Sequence, residues 1–132
     1  MTVDSSPSVT TIARHLARLL LAAFLVVAGV SHFVVHDEFL AQTPTWLPAR
    51  AAVIWVSGVI EIALGIALVA VRRRRRELGW LVAAFFVLVF PGNVYQAVAG
   101  TDGFGLDTPA ARWTRLLFQP LLIAWALMST RE

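Results

Sequence analysis

Ala51 to Val71 reads AAVIWVSGVIEIALGIALVAV, an apolar run of bilayer length with one formal charge, Glu61, at its centre. A helix needs about 20 apolar residues to cross a hydrocarbon core about 30 Å thick. The eleven Val, Ile and Leu side chains of this run each favour insertion by about 0.3 to 0.6 kcal/mol, against a cost on the order of 3 kcal/mol for one central acid. Insertion wins, so the run predicts a transmembrane helix that carries Glu61 to mid-membrane. An acid at that depth must be neutral, paired or turned toward a wet cavity, so Glu61 is expected to face other helices and not lipid. Ser57, Glu61 and Gly65 recur every four residues with Gly58 beside them, which puts small and polar residues on one stripe of the helix. Close approach of a neighbouring helix is expected along that stripe.

Outward from this run, three further segments have spanning character, at about residues 16–35, 78–99 and 113–129. The first is preceded by Arg14 and Arg18, as in a signal peptide, but its apolar run exceeds the roughly 7 to 15 residues of a signal core, so it reads as a retained helix. The segment at 78–99 contains Pro91, Gly92 and Asn93 in its outer half, and the one at 113–129 is short and interrupted by Gln119 and Pro120. The fold class is therefore all-α, an integral membrane four-helix bundle over residues 16–132, behind a polar tail at residues 1–15 that is expected to be disordered and cytoplasmic. Composition agrees: 58% of residues are hydrophobic and 14% charged, where soluble domains carry about a quarter charged.

The net charge of +3 does not point to nucleic acid, because five of the eleven basic residues form one run, Arg72 to Arg76. That run reads as a topology signal with affinity for anionic lipid. With the run inside, eight Arg (Arg14, Arg18, Arg72 to Arg76, Arg131) face Arg50, Arg112 and Arg115 on the other side, so both termini are expected in the cytoplasm. All five Trp fall near predicted helix ends, as aromatic belts do. Of the two outer connections, residues 36–50 carry Asp37, Glu38, Phe39, Leu40 and Trp46 and are expected to lie along the membrane surface. Residues 100–112 form a Gly and Asp turn region.

Counted from the outer helix ends at about 1.5 Å per residue, His32 lies roughly 5 Å deep, Ser57, Asn93 and Gln119 roughly 9 Å, and Glu61 roughly 15 Å. Pro91 leaves the Val87 carbonyl without its helical partner and tends to bend the helix, turning Asn93 toward the interior. These positions predict a polar pocket opening outward, built from His32, Ser57, Glu61, Asn93 and Gln119. The plainer alternative is that they are interhelical hydrogen-bonding groups worth about 0.6 kcal/mol each. His32 and His36 are four residues apart, but a span ending near Val35 takes them off a common face, so no metal site is assigned. The chain has no Cys, hence no disulfide or thiol relay. It also has no phosphate loop, nucleophile elbow or zinc-protease helix, so no catalytic residue is assigned.

The segments AGVSHF (Ala28 to Phe33), PTWLP (Pro44 to Pro48), SGVIEIALG (Ser57 to Gly65), the Arg run, GW (Gly79, Trp80) and FPGNVY (Phe90 to Tyr95) together resemble the DoxX-like family of small four-helix bacterial membrane proteins. The resemblance implies a bacterial cytoplasmic membrane and a non-catalytic subunit beside a redox partner protein. The positions matching its motifs are His32, Trp46, Ser57, Glu61, Pro91 and Asn93. With the pocket, it gives the leading expectation: a module that binds a quinone, a lipid or another small amphipathic molecule, with the bilayer, a redox protein or a second copy of the chain as partner. Two other classes stay open, a proton-coupled transporter using Glu61 and a membrane enzyme acting on a lipid-like substrate through Glu61 and His32.

Overall fold

The computed structural model describes residues 8–131, which contain five α-helices and no strand. They are α1 (Val9–Val34), α2 (His36–Leu40), α3 (Arg50–Ala70), α4 (Arg75–Ala99) and α5 (Pro109–Ser129). Local chemistry sets several ends. The Ser8 hydroxyl accepts the amide of Thr11 at 3.1 Å and starts α1, and the Thr108 hydroxyl does the same for Ala111 at 3.1 Å, with Pro109 in the first turn of α5. Gly100, at φ 69°, closes α4 in the left-handed conformation that a glycine adopts without strain.

α1 starts well before the expected residue 16, so residues 9–15 of the anticipated tail are helical; residues 1–7 lie outside the described residues. α4 likewise begins at Arg75, inside the Arg run. Three helices, α1, α3 and α4, are long and apolar enough to cross a membrane. The count of four bundle helices is corrected in two ways. α2 is an added short helix within the connection expected to lie on the surface. α5 has the same 21 residues as α3 but is not among the three apolar helices, because Arg112, Arg115 and Gln119 dilute its aliphatic residues.

The four long helices run up, down, up and down, with α1 packed along α3 and α4 along α5, and a looser fit between the two pairs. The α1–α3 seam is made of small residues. A methyl group added at Gly58 would lie 2.7 Å from the His32 Cβ, one at Gly29 would lie 2.8 Å from the Gly58 carbonyl, and one at Gly65 would lie 2.8 Å from the Ala22 carbonyl. The stripe read from the sequence thus brings the two backbones together.

The end that carries α2 and residues 100–108 is the one expected to face outward. The core fills the inner half, where Leu21, Leu25, Leu68, Val82 and Ala126 are fully buried beside Phe85 and Phe86. Polar ties close that end: the Arg18 Nε donates to the Leu68 carbonyl at 3.2 Å, and the Trp125 indole N–H to the Ala17 carbonyl at 2.9 Å. Trp125 is therefore a helix-to-helix tie, whereas Trp46, Trp55, Trp80 and Trp113 are exposed as belt residues are. Large apolar side chains such as Leu20, Val27, Val59, Leu81 and Leu88 point outward, the reverse of a water-soluble surface.

Candidate functional site: an outer cavity beside Glu61

Looser packing between the pairs leaves the outer half of the bundle hollow. A cavity of about 1020 Å³ lies there, walled by α1, α3, α4 and α5 and covered by residues 39–47 and 104–106. Its size is at the upper end for small-molecule sites, roughly 300 to 1,000 Å³. The lining is mostly apolar, with Phe24, Ile60, Phe85, Phe86, Val89 and Leu122 toward mid-bundle. A second hollow of about 250 Å³ is formed only by Val34 to Glu38, consecutive residues at the turn between α1 and α2.

His32, Ser57, Glu61, Asn93 and Gln119 all line the large cavity. Their hydrogen bonding separates them. Ser57 Oγ donates to the Ile54 carbonyl of its own helix at 2.8 Å. Asn93 Oδ1 accepts from Gln42 Nε2 at 3.2 Å. Gln119 Nε2 donates to the Phe86 carbonyl at 2.6 Å, and its Oε1 accepts from Arg115 Nη1 at 3.2 Å. His32 Nδ1 donates to the Ala28 carbonyl at 2.8 Å, and its ring stacks on Phe39 with centroids 3.8 Å apart.

Glu61 differs. Its side chain is only 7% exposed, yet among the described residues it makes no hydrogen bond, and its one ion-pair neighbour within 4.0 Å is His32 Nδ1 at 3.6 Å. That distance is too long for a hydrogen bond, and the Nδ1 proton is already given to Ala28. The pair meets because side chains lean toward their helix N-termini, so Glu61 on descending α3 leans outward and His32 on ascending α1 leans inward. A buried carboxyl left without a hydrogen-bond partner costs on the order of 1 to 3 kcal/mol.

Sequence reasoning missed part of the wall. Gln42, Phe39 and Phe104 come from the connections, where no periodicity places them. The Phe104 amide donates to Glu38 Oε2 at 2.7 Å, and its ring meets Phe39 edge-on with centroids 4.7 Å apart, so the two connections close over the mouth together. Arg115 also lines the cavity. It lies four residues before Gln119, on the same helix face, and that spacing could have found it.

In comparison with known families, residues 21–130 match one described as a domain of unknown function (DUF8561). The chain belongs to that family. No curated protein and no solved structure matches the chain. The DoxX-like resemblance is thereby corrected: the segments that carried it, from Ala28 to Tyr95, all fall inside the DUF8561 match, and no DoxX family does. The reason is physical. Gly58, Gly29 and Gly65 are demanded by a close helix seam, and exposed Trp46 and Trp80 by an interface; unrelated bundles share those demands. The redox subunit role implied by the resemblance loses that support.

Proposed function

We propose that this member of DUF8561 is a membrane-embedded binding module for a small amphipathic molecule, of quinone or lipid type. The molecule's polar part meets Glu61 and its apolar part fills the outer cavity. The observation that carries the reading is Glu61, buried against a large apolar cavity without a hydrogen-bond donor. Inward of the cavity, Leu21, Leu25, Leu68 and Val82 pack without exposure, which favours holding a ligand over passing one through and ranks binding above proton-coupled transport.

The reading includes four spans in a bacterial cytoplasmic membrane, with α5 as the fourth and both termini in the cytoplasm. Support comes from α5 matching α3 in length, from its exposed Leu117, Phe118, Leu121 and Met128, and from the Arg excess at the inner end. The Cys-free chain makes this directly testable. Single cysteines at Thr101 and Asp107 are expected to react with an impermeant maleimide on intact cells, and one at Ser8 only after lysis; reaction at Ser8 in intact cells would reverse the orientation.

The binding reading is tested by native mass spectrometry of the chain extracted gently from its own membrane. Wild type is expected to keep an added mass that Glu61→Leu loses, with affinity lower by about tenfold, or about 1.4 kcal/mol, while Glu61→Gln keeps part of it. Equal retention by wild type and Glu61→Leu, or an empty wild type, would remove the proposal.

A further inference from the structure

We propose that the ligand has an anionic head, an oxyanion such as a phosphate, sulfonate or carboxylate, and that the Arg115 guanidinium binds it. The inference deepens the binding reading and rests on it. Arg115 is half-buried and lines the same cavity as Glu61. Its Nη1 donates to Gln119 Oε1 at 3.2 Å, and Gln119, 1% exposed, is pinned by its bond to the Phe86 carbonyl at 2.6 Å. Both ends of the Gln119 amide are used in this way, so Gln119 is a positioning residue that aims Arg115.

A guanidinium has five N–H donors in a planar fork suited to two oxygens of an oxyanion. Among the described residues Arg115 has no carboxylate within 4.0 Å, and Gln119 takes one donor. Its neighbours are treated differently. Arg112, one turn earlier on α5, is paired with Asp102 at 3.0 Å and with the Leu106 carbonyl at 3.0 Å. Arg50 caps the Leu40 and Thr43 carbonyls at 2.8 and 2.6 Å. The acid that lines the cavity, Glu61, lies toward His32 on the opposite helix pair. Arg115 is thus the cavity's cation without a countercharge, in surroundings where an uncompensated charge is costly.

Depth gives the rest of the ligand. Arg115 is six residues from the outer end of α5, about 9 Å at 1.5 Å per residue, while the apolar side chains Phe24, Phe85, Phe86 and Leu122 line the deeper wall. An oxyanion at Arg115 therefore leaves the rest of the ligand pointing to mid-membrane, with a hydrogen-bond donor next to the head meeting Glu61 and the apolar body against the deeper wall, as in a lipid-like acid or phosphate.

The test uses the full chain in phosphatidylcholine nanodiscs and calorimetric titration with dodecyl phosphate, dodecanol and inorganic phosphate. Dodecyl phosphate is expected to bind one per chain and dodecanol about tenfold more weakly, with Arg115→Gln bringing dodecyl phosphate down to the dodecanol level and leaving dodecanol unchanged. Arg115→Met, which keeps the stem, replaces it should Arg115→Gln not fold. Inorganic phosphate binding as well as dodecyl phosphate, and lost in the same variants, would support the oxyanion site and assign its source as a free anion. Equal binding of dodecyl phosphate by wild type and both variants would overturn the proposal, leaving Arg115 as a contact to surrounding lipid headgroups. Failure of both dodecyl compounds to bind wild type would instead overturn the binding reading itself.

Discussion

Replacing Gly58 by leucine is expected to part α1 from α3 and to lower the melting temperature by more than any substitution on the lipid face. Even the first added carbon would sit 2.7 Å from the His32 Cβ and 3.0 Å from the Gly29 carbonyl oxygen. Neither can swing aside as a flexible side-chain tip could, since one is backbone and the other is one bond from it. Overpacking of this kind costs about 1 to 3 kcal/mol for small additions, and leucine adds three more carbons to the same gap. Within a bilayer no hydrophobic force restores the lost contact, because lipid tails are as apolar as the leucine. The melting curve is read from tryptophan fluorescence in detergent. Gly105→Ala is the reference, because Gly105 has open space around it and only its φ of 72° to set against the added carbon, a cost of about 1 to 2 kcal/mol. If Gly58→Leu melts with that reference or above it, the seam is not what holds α1 to α3.

That seam was legible in the sequence because it lies on a long helix with a strong period. Ser57, Gly58, Glu61 and Gly65 fall on one stripe wherever the helix begins, and Gly58, Glu61 and Gly65 are buried in the fold. The ends were harder to place. Ser8 caps α1 ahead of its apolar run, and α4 takes in Arg75 and Arg76, since backbone hydrogen bonding continues past the residues that favour lipid. α2 has five residues, too few to show a period. The site was half visible for a related reason. Polar groups at matched depths on long helices could be brought together by counting, but Gln42, Phe39 and Phe104 reach the cavity only through how the connections fold. Arg115 was read as one of the charges that set topology, and nothing in the sequence pattern singled out Gln96, which is 1% exposed. In both cases distance from the helix end was a poor guide to which way the side chain turns.

Gln96 belongs to the network behind the second large effect, the loss of the cover over the cavity in Gln42→Leu. Gln42 Nε2 donates to Asn93 Oδ1 at 3.2 Å and to Gln96 Oε1 at 3.1 Å. Gln96 Nε2 in turn donates to the Thr101 and Gly103 carbonyls at 3.2 and 3.1 Å, and the Thr101 hydroxyl donates back to the Ala41 carbonyl at 2.6 Å. One side chain thus ties residues 39–47 to α4 and, through Gln96, to residues 101–103. Leucine in its place strands two buried acceptors, at about 1 to 3 kcal/mol each, so a loss of about 2 to 6 kcal/mol is expected, concentrated at the mouth. A local opening energy reduced by that much raises amide hydrogen exchange by roughly 30- to 25,000-fold, and the rise is expected in residues 36–47 and 100–106. The packed inner half around Leu21, Leu68 and Val82 should exchange as before. Unchanged exchange at the mouth would mean that the ring contacts of Phe39 with His32 and Phe104 hold the cover without Gln42, and a uniform rise through all helices would mean that the mouth and the core unfold as one unit. With the cover loosened and Glu61 and Arg115 untouched, a bound molecule should leave faster, because Gln42 closes the route to those two groups without supplying their chemistry.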